Sequence, residues 1–254
     1  MASARPDAWR LWVLLLVAVG SLALMLSLEP IRQSPDYHRF ADQRPILGLP
    51  NFMDVWSNVA FMLVGLAGVA LLARRAVSLR PAWLTFFVGV AIVSAGSAYY
   101  HSTPNNDSLV WDRLPMTVAF MGLLSALLGE YVSERLGRVL LAPAVLLGVA
   151  SVLYWHGSGD LRLYAWVQLI PLLAVPVLIV LFRPLHTHGW LLLVALALYG
   201  LAKVSETYDG EVFAWTRQGM SGHTLKHLLA ASSCLAVLVM LRLRAESGAP
   251  ADAA

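Results

Sequence analysis

Eight apolar segments occupy most of the chain, and their length restricts the fold more than any other feature. A helix that crosses a bilayer needs about 20 mostly apolar residues, because lipid offers no partners to backbone polar groups. The segments are 11–28, 53–73, 82–101, 112–130, 138–155, 163–182, 189–206 and 222–243. Most links between them are short, so consecutive helices are expected to be antiparallel neighbours. The sequence therefore predicts an all-α, polytopic membrane protein.

Composition agrees with this prediction and excludes other classes. Of the 254 residues, 59% are hydrophobic and only 13% are charged, whereas a soluble domain carries about 25% charged residues. The sequence contains no basic stripe of the kind that nucleic acid requires. The single cysteine, Cys234, excludes an internal disulfide and a Cys-x-x-Cys zinc site.

The distribution of arginines indicates the orientation. Eight spans place both chain ends on one side, and that side holds ten loop arginines against five on the other. The ten are Arg5, Arg10, Arg74, Arg75, Arg80, Arg135, Arg138, Arg183, Arg242 and Arg244. Because cytoplasmic loops are enriched in Lys and Arg, we expect both termini in the cytoplasm. Including Arg113, Lys203 and Lys226, at the edges of spans, narrows the difference to ten against eight.

Four ionisable residues lie at the ends of apolar segments, where such residues are costly and mark functional sites. His101 ends the third segment, Asp112 opens the fourth, and His223 and His227 lie in the first two turns of the eighth. The predicted topology places all four at the membrane face away from the cytoplasm.

The spacing of these residues groups them further. His223 and His227 are four apart and share one face of a helix, as do Ser97 and His101. A Pro-Asn-Asn-Asp sequence between His101 and Asp112 predicts a turn that brings the two together.

Three histidines with an open fourth position suit catalytic zinc, which lowers the pKa of the water bound to it. A carboxylate can then take a proton, and a serine hydroxyl can donate to a developing oxyanion. This set is sufficient for hydrolysing an amide or an ester. From the residues alone, structural alternatives remain: His101 as an interfacial or capping residue, Asp112 as a carboxylate favoured by the helix dipole, and Ser97 as a small packing residue.

The ordered set resembles that of the alkaline ceramidases, members of the CREST superfamily of membrane hydrolases. It reads Ser97-Ala-Tyr-Tyr-His101, then Asp112, then His223-Thr-Leu-Lys-His227. The step of eleven residues from His101 to Asp112 is similar to the ceramidase branch rather than to the progestin and adiponectin receptor branch. "NFMDVWSNVAFML" resembles the start of the first ceramidase core helix, and "YHRFADQR" and "WDRLPMT" resemble bacterial members.

The resemblance implies a zinc-dependent intramembrane hydrolase of the bacterial inner membrane. It would cleave the amide of ceramide, or of a related N-acyl lipid, to a fatty acid and an amine. It implies zinc held by His101, His223 and His227 near the periplasmic face, with Asp112 as general base and Ser97 on the oxyanion side. Together with the hydropathy pattern, it predicts three parts: an N-terminal helix with the residues that follow it (1–35), a seven-helix hydrolase domain (36–245) and a disordered tail (246–254).

The sequence departs from eukaryotic members near the start of the core. Their acidic calcium motif is replaced by "DYHRFADQR", and Asn51 stands where they carry a glutamate. Asp36, Asp42 and Asp54 remain as candidate cation ligands, but calcium regulation is not expected. Two other functions stay open: a receptor-like lipid sensor with a structural zinc, and an esterase acting on another lipid.

Several polar residues fall outside this pattern. Lys203 and Glu206 are expected to pair as a structural link or lid, with a substrate headgroup contact as the alternative. Lys226 is expected to point to a different helix face from the two histidines beside it, and to snorkel or pair with an acid. The remaining histidines fall in predicted loops and are expected to be solvated: His38, His156, His186 and His188.

Overall fold

The protein is built from α-helices, as predicted. The structure, a computed structural model, describes residues 7–182 and 187–247, with the side chains of 245–247 left out. In these two ranges the helices are α1 (Ala8–Ser27), α2 (Phe52–Trp56), α3 (Val59–Arg74), α4 (Arg80–Ser102), α5 (Asn106–Tyr131), α6 (Glu134–Ser158), α7 (Arg162–Leu181), α8 (Leu191–Thr207), α9 (Asp209–Trp215) and α10 (Gly222–Ser247). Neither of the two described ranges, 7–182 and 187–247, contains a β-strand. Arg5, Arg183, His186 and residues 248–254 of the predicted tail lie outside the described residues.

Seven of the eight predicted spans have helices long and apolar enough to cross a membrane, with α2 and α3 together forming one of them. The remaining predicted span, 189–206, is shorter than a typical spanning helix. It corresponds to α8, which has 17 residues and reaches spanning length only together with α9, after a bend of 87°. The chain is thus a multi-pass membrane protein.

Six of the helices surround a central space. α4 packs against α3 and α5, α5 and α7 are in contact, α7 touches α8, and α10 joins α8 to α3. α8 runs antiparallel to α10, because Lys226 meets Glu206 near one end and Ser233 donates to the Ala195 carbonyl farther along. α6 and α1 lie outside this ring and contact α7. The Trp166 indole on α7 donates to Ser21 of α1.

The contact between α4 and α5 is unusually close at Gly96. A Cβ atom placed on Gly96 would lie 2.0 Å from the carbonyl oxygen of Trp111, the residue before Asp112. Small residues allow membrane helices to approach in this way. Gly96 therefore lets the α4 segment that carries Ser97 and His101 lie directly against the Asp112 turn of α5.

Replacing Gly96 by alanine is expected to destabilise the protein by about 1–3 kcal/mol, because the added methyl meets backbone rather than a flexible side chain. Thermal unfolding in detergent measures the effect. Gly200→Ala in α8 is the matched control, since a Cβ there meets nothing within 4 Å. Equal thermal unfolding midpoints for Gly96→Ala and Gly200→Ala would contradict the close contact between α4 and α5.

The start of α5 differs from the prediction. Asp112 does not open the helix: α5 begins at Asn106, almost two turns earlier. The reason is a capping box, in which the Asn105 side chain accepts from the backbone N–H of Ser108 and the Ser108 hydroxyl accepts from that of Asn105. The predicted turn is accordingly shorter, and it still returns the chain toward His101.

Candidate functional site

Three buried histidines meet where α4 ends and α10 begins. The ring centroids of His101, His223 and His227 form a nearly equilateral triangle, with sides of 4.8, 4.9 and 4.9 Å. One nitrogen from each ring lies within 4.8 Å of the others. Among the described residues, His101, His223 and His227 form the one group of three or more candidate ligands that is close enough to hold a metal ion.

His101 shows that the residues fit a metal. Its side chain is 1% exposed, and neither ring nitrogen has a hydrogen-bond partner. Buried polar atoms are normally paired, and leaving them unpaired costs about 1–3 kcal/mol. A cation between the three rings satisfies one of these nitrogens, and three imidazoles with an open position are a ligand set typical of catalytic zinc.

The segment between α1 and α2, residues 28–51, is called the lead-in and covers this histidine cluster. Phe40 is buried, and its ring centroid lies 4.6 Å from that of His101 and 4.8 Å from that of His223. Asp209 fixes the segment in place, because its carboxylate accepts from the backbone N–H groups of both Ala41 and His223. The lead-in therefore excludes water from one side of the site.

Ser57, near the end of the short helix α2, orients one of the three rings. Its hydroxyl lies 2.7 Å from His227 Nδ1 and also donates to the Asp54 carbonyl. When the hydroxyl proton goes to that carbonyl, Ser57 accepts from Nδ1–H of His227, and this tautomer leaves Nε2 free to bind a metal. Partners of this kind fix the tautomer of a ligating histidine.

Ser57→Ala is expected to weaken zinc binding by about 10–100-fold, the usual effect of removing a hydrogen bond to a ligating histidine. Competition with a chromophoric chelator measures the affinity. Ser232→Ala is a suitable control, since this exposed hydroxyl donates only to a carbonyl within α10. Unchanged zinc affinity in Ser57→Ala would rule out the positioning role.

Asp112 and Ser97 lie beside each other on α5 and α4. Both side chains are buried, the Ser97 hydroxyl interacts with the Asp112 carboxyl, and both residues line the same cavity as His227. The predicted set of five residues is thus gathered at one end of the helix bundle. Asn51 supports this end, because its amide donates to the His101 carbonyl oxygen.

The cavity lies in the middle of the helix ring and has a volume of about 350 Å³. Its wall near the histidines is polar, whereas the wall farther along the helices is apolar. The apolar part includes Phe86, Val90, Leu123, Val175, Leu192 and Val237. Val237 is ten residues beyond His227 in α10, so this part extends roughly 15 Å along the helix axis. Such a space suits an extended hydrocarbon chain.

A charged network adjoins the histidines. The Glu206 carboxylate accepts from Lys203 and, at 2.7 Å, from Lys226, so the predicted ion pair is present. Lys226 does not point away from the histidines, because its Nζ lies 3.2 Å from His223 Nε2. The predicted direction was wrong, because residues three apart on a helix are neighbours, whereas the predicted pairing of Lys226 with an acid is confirmed by Glu206.

Tyr37 of the lead-in extends this network and was not identified from the sequence. Its hydroxyl donates to Glu206 at 3.3 Å. Burial raises the pKa of Tyr37 well above its ordinary value, so the group remains a phenol that can donate. Tyr37 lies in a single 3₁₀ turn, Pro35–His38, which carries no spacing signal that would connect it to a residue 169 positions away.

The acidic residues considered for a second cation each contact other partners. Asp36 forms an ion pair with Arg39, and Asp42 binds Arg44 through two hydrogen bonds, which lower the pKa of the Asp42 carboxyl. Asp54 is buried and accepts from Thr224 and Ser221, which attaches α2 to the start of α10.

Two of the histidines predicted to be solvated contact residues of other segments, and His188 contacts its neighbour Thr187. His38 is half-buried between the Tyr100 hydroxyl and Asn106, each 3.0 Å from a ring nitrogen. His156 lies in the last turn of α6 and pairs with Asp107, although it is exposed as predicted. His38 therefore connects the lead-in to the end of α4 and the start of α5.

Comparison with known proteins agrees with this arrangement. A search of curated proteins finds no match. The ceramidase family matches residues 49–246, a range that contains all five predicted site residues and every helix of the central ring. With most of its length covered by this match, the chain belongs to the ceramidase family.

Proposed function

We propose that this protein is a zinc-dependent intramembrane amidase that hydrolyses ceramide or a related N-acyl lipid to a fatty acid and a free amine. The observation that carries the proposal is the buried triangle of His101, His223 and His227 at the polar end of an apolar cavity, whose wall contains both His227 and Asp112. Family membership supports amide hydrolysis as the reaction class.

In this proposal, His101, His223 and His227 hold the metal. A bound zinc supplies a Lewis acid that acidifies water and polarises an amide carbonyl. Asp112 accepts the proton from the attacking water and delivers it to the leaving nitrogen, as a general base and then a general acid. Ser97 donates its hydroxyl to the oxygen on which negative charge develops.

The surrounding residues organise the substrate. The acyl chain lies along the apolar wall between α4, α5, α7 and α10, and the amide reaches the histidines at the polar end. Phe40 keeps bulk water away from His101 and His223, with which its ring is in contact. A dry site strengthens the electrostatic interactions of Asp112 and Ser97 with the reacting atoms.

The test uses protein purified in detergent with a panel of N-acyl lipids and matched lipid esters. We expect release of fatty acid from the amides, with zinc bound to the protein. Turnover of esters alone would favour the esterase alternative. Zinc binding without turnover of any lipid would favour a sensor with a structural metal and would overturn the amidase proposal.

We also propose that both termini face the cytoplasm and that the histidine cluster lies near the periplasmic face of a bacterial inner membrane. The excess of loop arginines at the end of the bundle opposite the histidines supports this orientation. Labelling of single introduced cysteines with a membrane-impermeant reagent tests it: a cysteine at exposed Thr103 should react in intact cells, and one at exposed Arg74 should not.

A further inference from the structure

Arg113 is a buried cation in the cavity wall to which the reaction chemistry assigns no task. It follows Asp112 directly in α5, is 5% exposed and lines the cavity. Its Nη2 donates to the Gln33 side chain at 2.6 Å. Its Nη1 is buried and has no hydrogen-bond partner. A guanidinium carries five donors, so Arg113 retains unused donor capacity.

Aromatic rings surround this guanidinium. Its Cζ lies 4.0 Å from the ring centroid of Trp155, 4.6 Å from that of Tyr164 and 5.7 Å from that of Tyr37. Cation–π contacts of this kind stabilise a desolvated arginine. The rings hold the side chain in place, but they accept none of its remaining hydrogen bonds in the plane of the guanidinium.

The nearby carboxylates leave the buried Nη1 of Arg113 without a hydrogen bond. Glu206 accepts from two ammonium groups, those of Lys203 and Lys226. The charge of Asp112 interacts with the charges of Lys226 and Arg113, and its carboxyl interacts with Ser97. Among the residues that the structure describes, no carboxylate forms a salt bridge with Arg113. Three cations and two carboxylates line the cavity, so it carries an excess of one positive charge before any metal is bound.

The location of Arg113 relates this charge to the lipid. Consecutive helix residues differ by 1.5 Å along the axis, so Arg113 lies at nearly the same depth as the proposed general base and is rotated around α5. The apolar wall lies farther along the bundle. An anion beside Arg113 would therefore belong to the polar end of the lipid and not to its hydrocarbon chain.

We infer that Arg113 binds an anionic headgroup of the lipid substrate, of the phosphate type, and thereby makes N-acyl lipids with such a headgroup better substrates than neutral ones. A guanidinium recognises an oxyanion with paired, charge-assisted hydrogen bonds, and aromatic walls keep water from competing. This inference names the substrate class of the amidase and rests on the proposed function.

The experiment compares ceramide with ceramide 1-phosphate of identical chains, in wild type, Arg113→Gln, Arg113→Lys and Arg39→Gln. We expect wild type to have the higher kcat/KM for the phosphorylated lipid. Arg113→Gln should lower that value at least about tenfold, the effect of removing a charged hydrogen bond, and change the value for ceramide by less than about threefold. Arg113→Lys should retain part of the preference, and Arg39→Gln, an exposed residue, should retain all of it.

Other results would overturn the inference. A wild-type preference for ceramide would do so, as would an equal loss on both lipids in an Arg113→Gln protein that still elutes as a folded species, since the residue would then only support Asp112. Inorganic phosphate or free fatty acid that competes as well as ceramide 1-phosphate would indicate a site for small anions or for the product.

A direct binding measurement separates this inference from the proposed function. If neither lipid is hydrolysed, the amidase proposal fails, and the headgroup site is judged by binding of ceramide 1-phosphate alone. Binding that is weakened at least about tenfold in Arg113→Gln but not in Arg39→Gln supports the site. Equal binding by all four proteins overturns it.

Discussion

Replacing Asp112 by asparagine is expected to lower kcat by about 10²–10⁴-fold while leaving the metal bound, because this is the usual contribution of a general base. Asparagine keeps the shape of the side chain but cannot accept a proton at neutral pH. Asp112 is buried beside Ser97 and is not one of the three clustered ligands, so the histidine triangle should remain intact. Initial rates of fatty acid release and the zinc content of the same sample measure both effects.

Asp107→Asn is the matched control for this substitution. Asp107 lies in the first turn of the same helix, is exposed and pairs with His156 rather than facing the cavity. It should retain wild-type turnover. Full activity in Asp112→Asn would mean that another group moves the proton, and loss of zinc would mean that Asp112 belongs to the metal ligands.

Replacing His223 by alanine is expected to abolish turnover through loss of the metal. The substitution leaves two of the three clustered nitrogens and should weaken zinc binding more than the about 10–100-fold expected for removing a supporting hydrogen bond. Because a ligand that binds only the folded state stabilises it, added zinc should raise the unfolding midpoint of wild type but not of the variant.

His156→Ala serves as the control, since this exposed histidine lies outside the cluster. It should keep its zinc, its activity and its response to added zinc. An active, zinc-loaded His223→Ala protein would contradict the assigned ligand set. A variant that aggregates even in detergent is replaced by His223→Gln, for which the same loss of zinc is expected.

The parts of the site that follow helical periodicity were predictable. Ser97 and His101 are four apart, as are His223 and His227, so each pair faces one direction as soon as the segment is recognised as helical. The chain reversal at Pro104 then places Asp112 against the Gly96–Ser97 part of α4. The capping box at Asn105 and Ser108 also has a sequence signature, and using it would have placed the start of α5 correctly.

The supporting contacts were not predictable, because they join distant segments. Ser57 and His227 are separated by 170 positions, and Phe40 reaches the histidines from a loop without periodicity. Such contacts depend on the packing of α2 and the lead-in against α10, which no local pattern specifies. Lys226 is different, because its three-residue step from His223 is enough to make the two side chains neighbours on one helix.

Hydropathy also could not predict which helices form the central ring and which two, α1 and α6, lie outside it. α1 and α6 are as apolar as the ring helices, but lipid can replace protein along much of their surface, so their composition does not reveal their position. Gly96 was equally inconspicuous, since the chain contains 18 glycines and only the packed structure identifies the one that admits the Trp111 backbone.

The most direct test of a metal-dependent amidase is a zinc titration of metal-stripped protein, with fatty acid release from an N-acyl lipid as the signal. We expect no turnover in the stripped protein and a linear recovery that ends near one zinc per chain, in wild type but not in His223→Ala. Turnover that persists without metal, or that zinc at this ratio does not restore, would contradict the central claim.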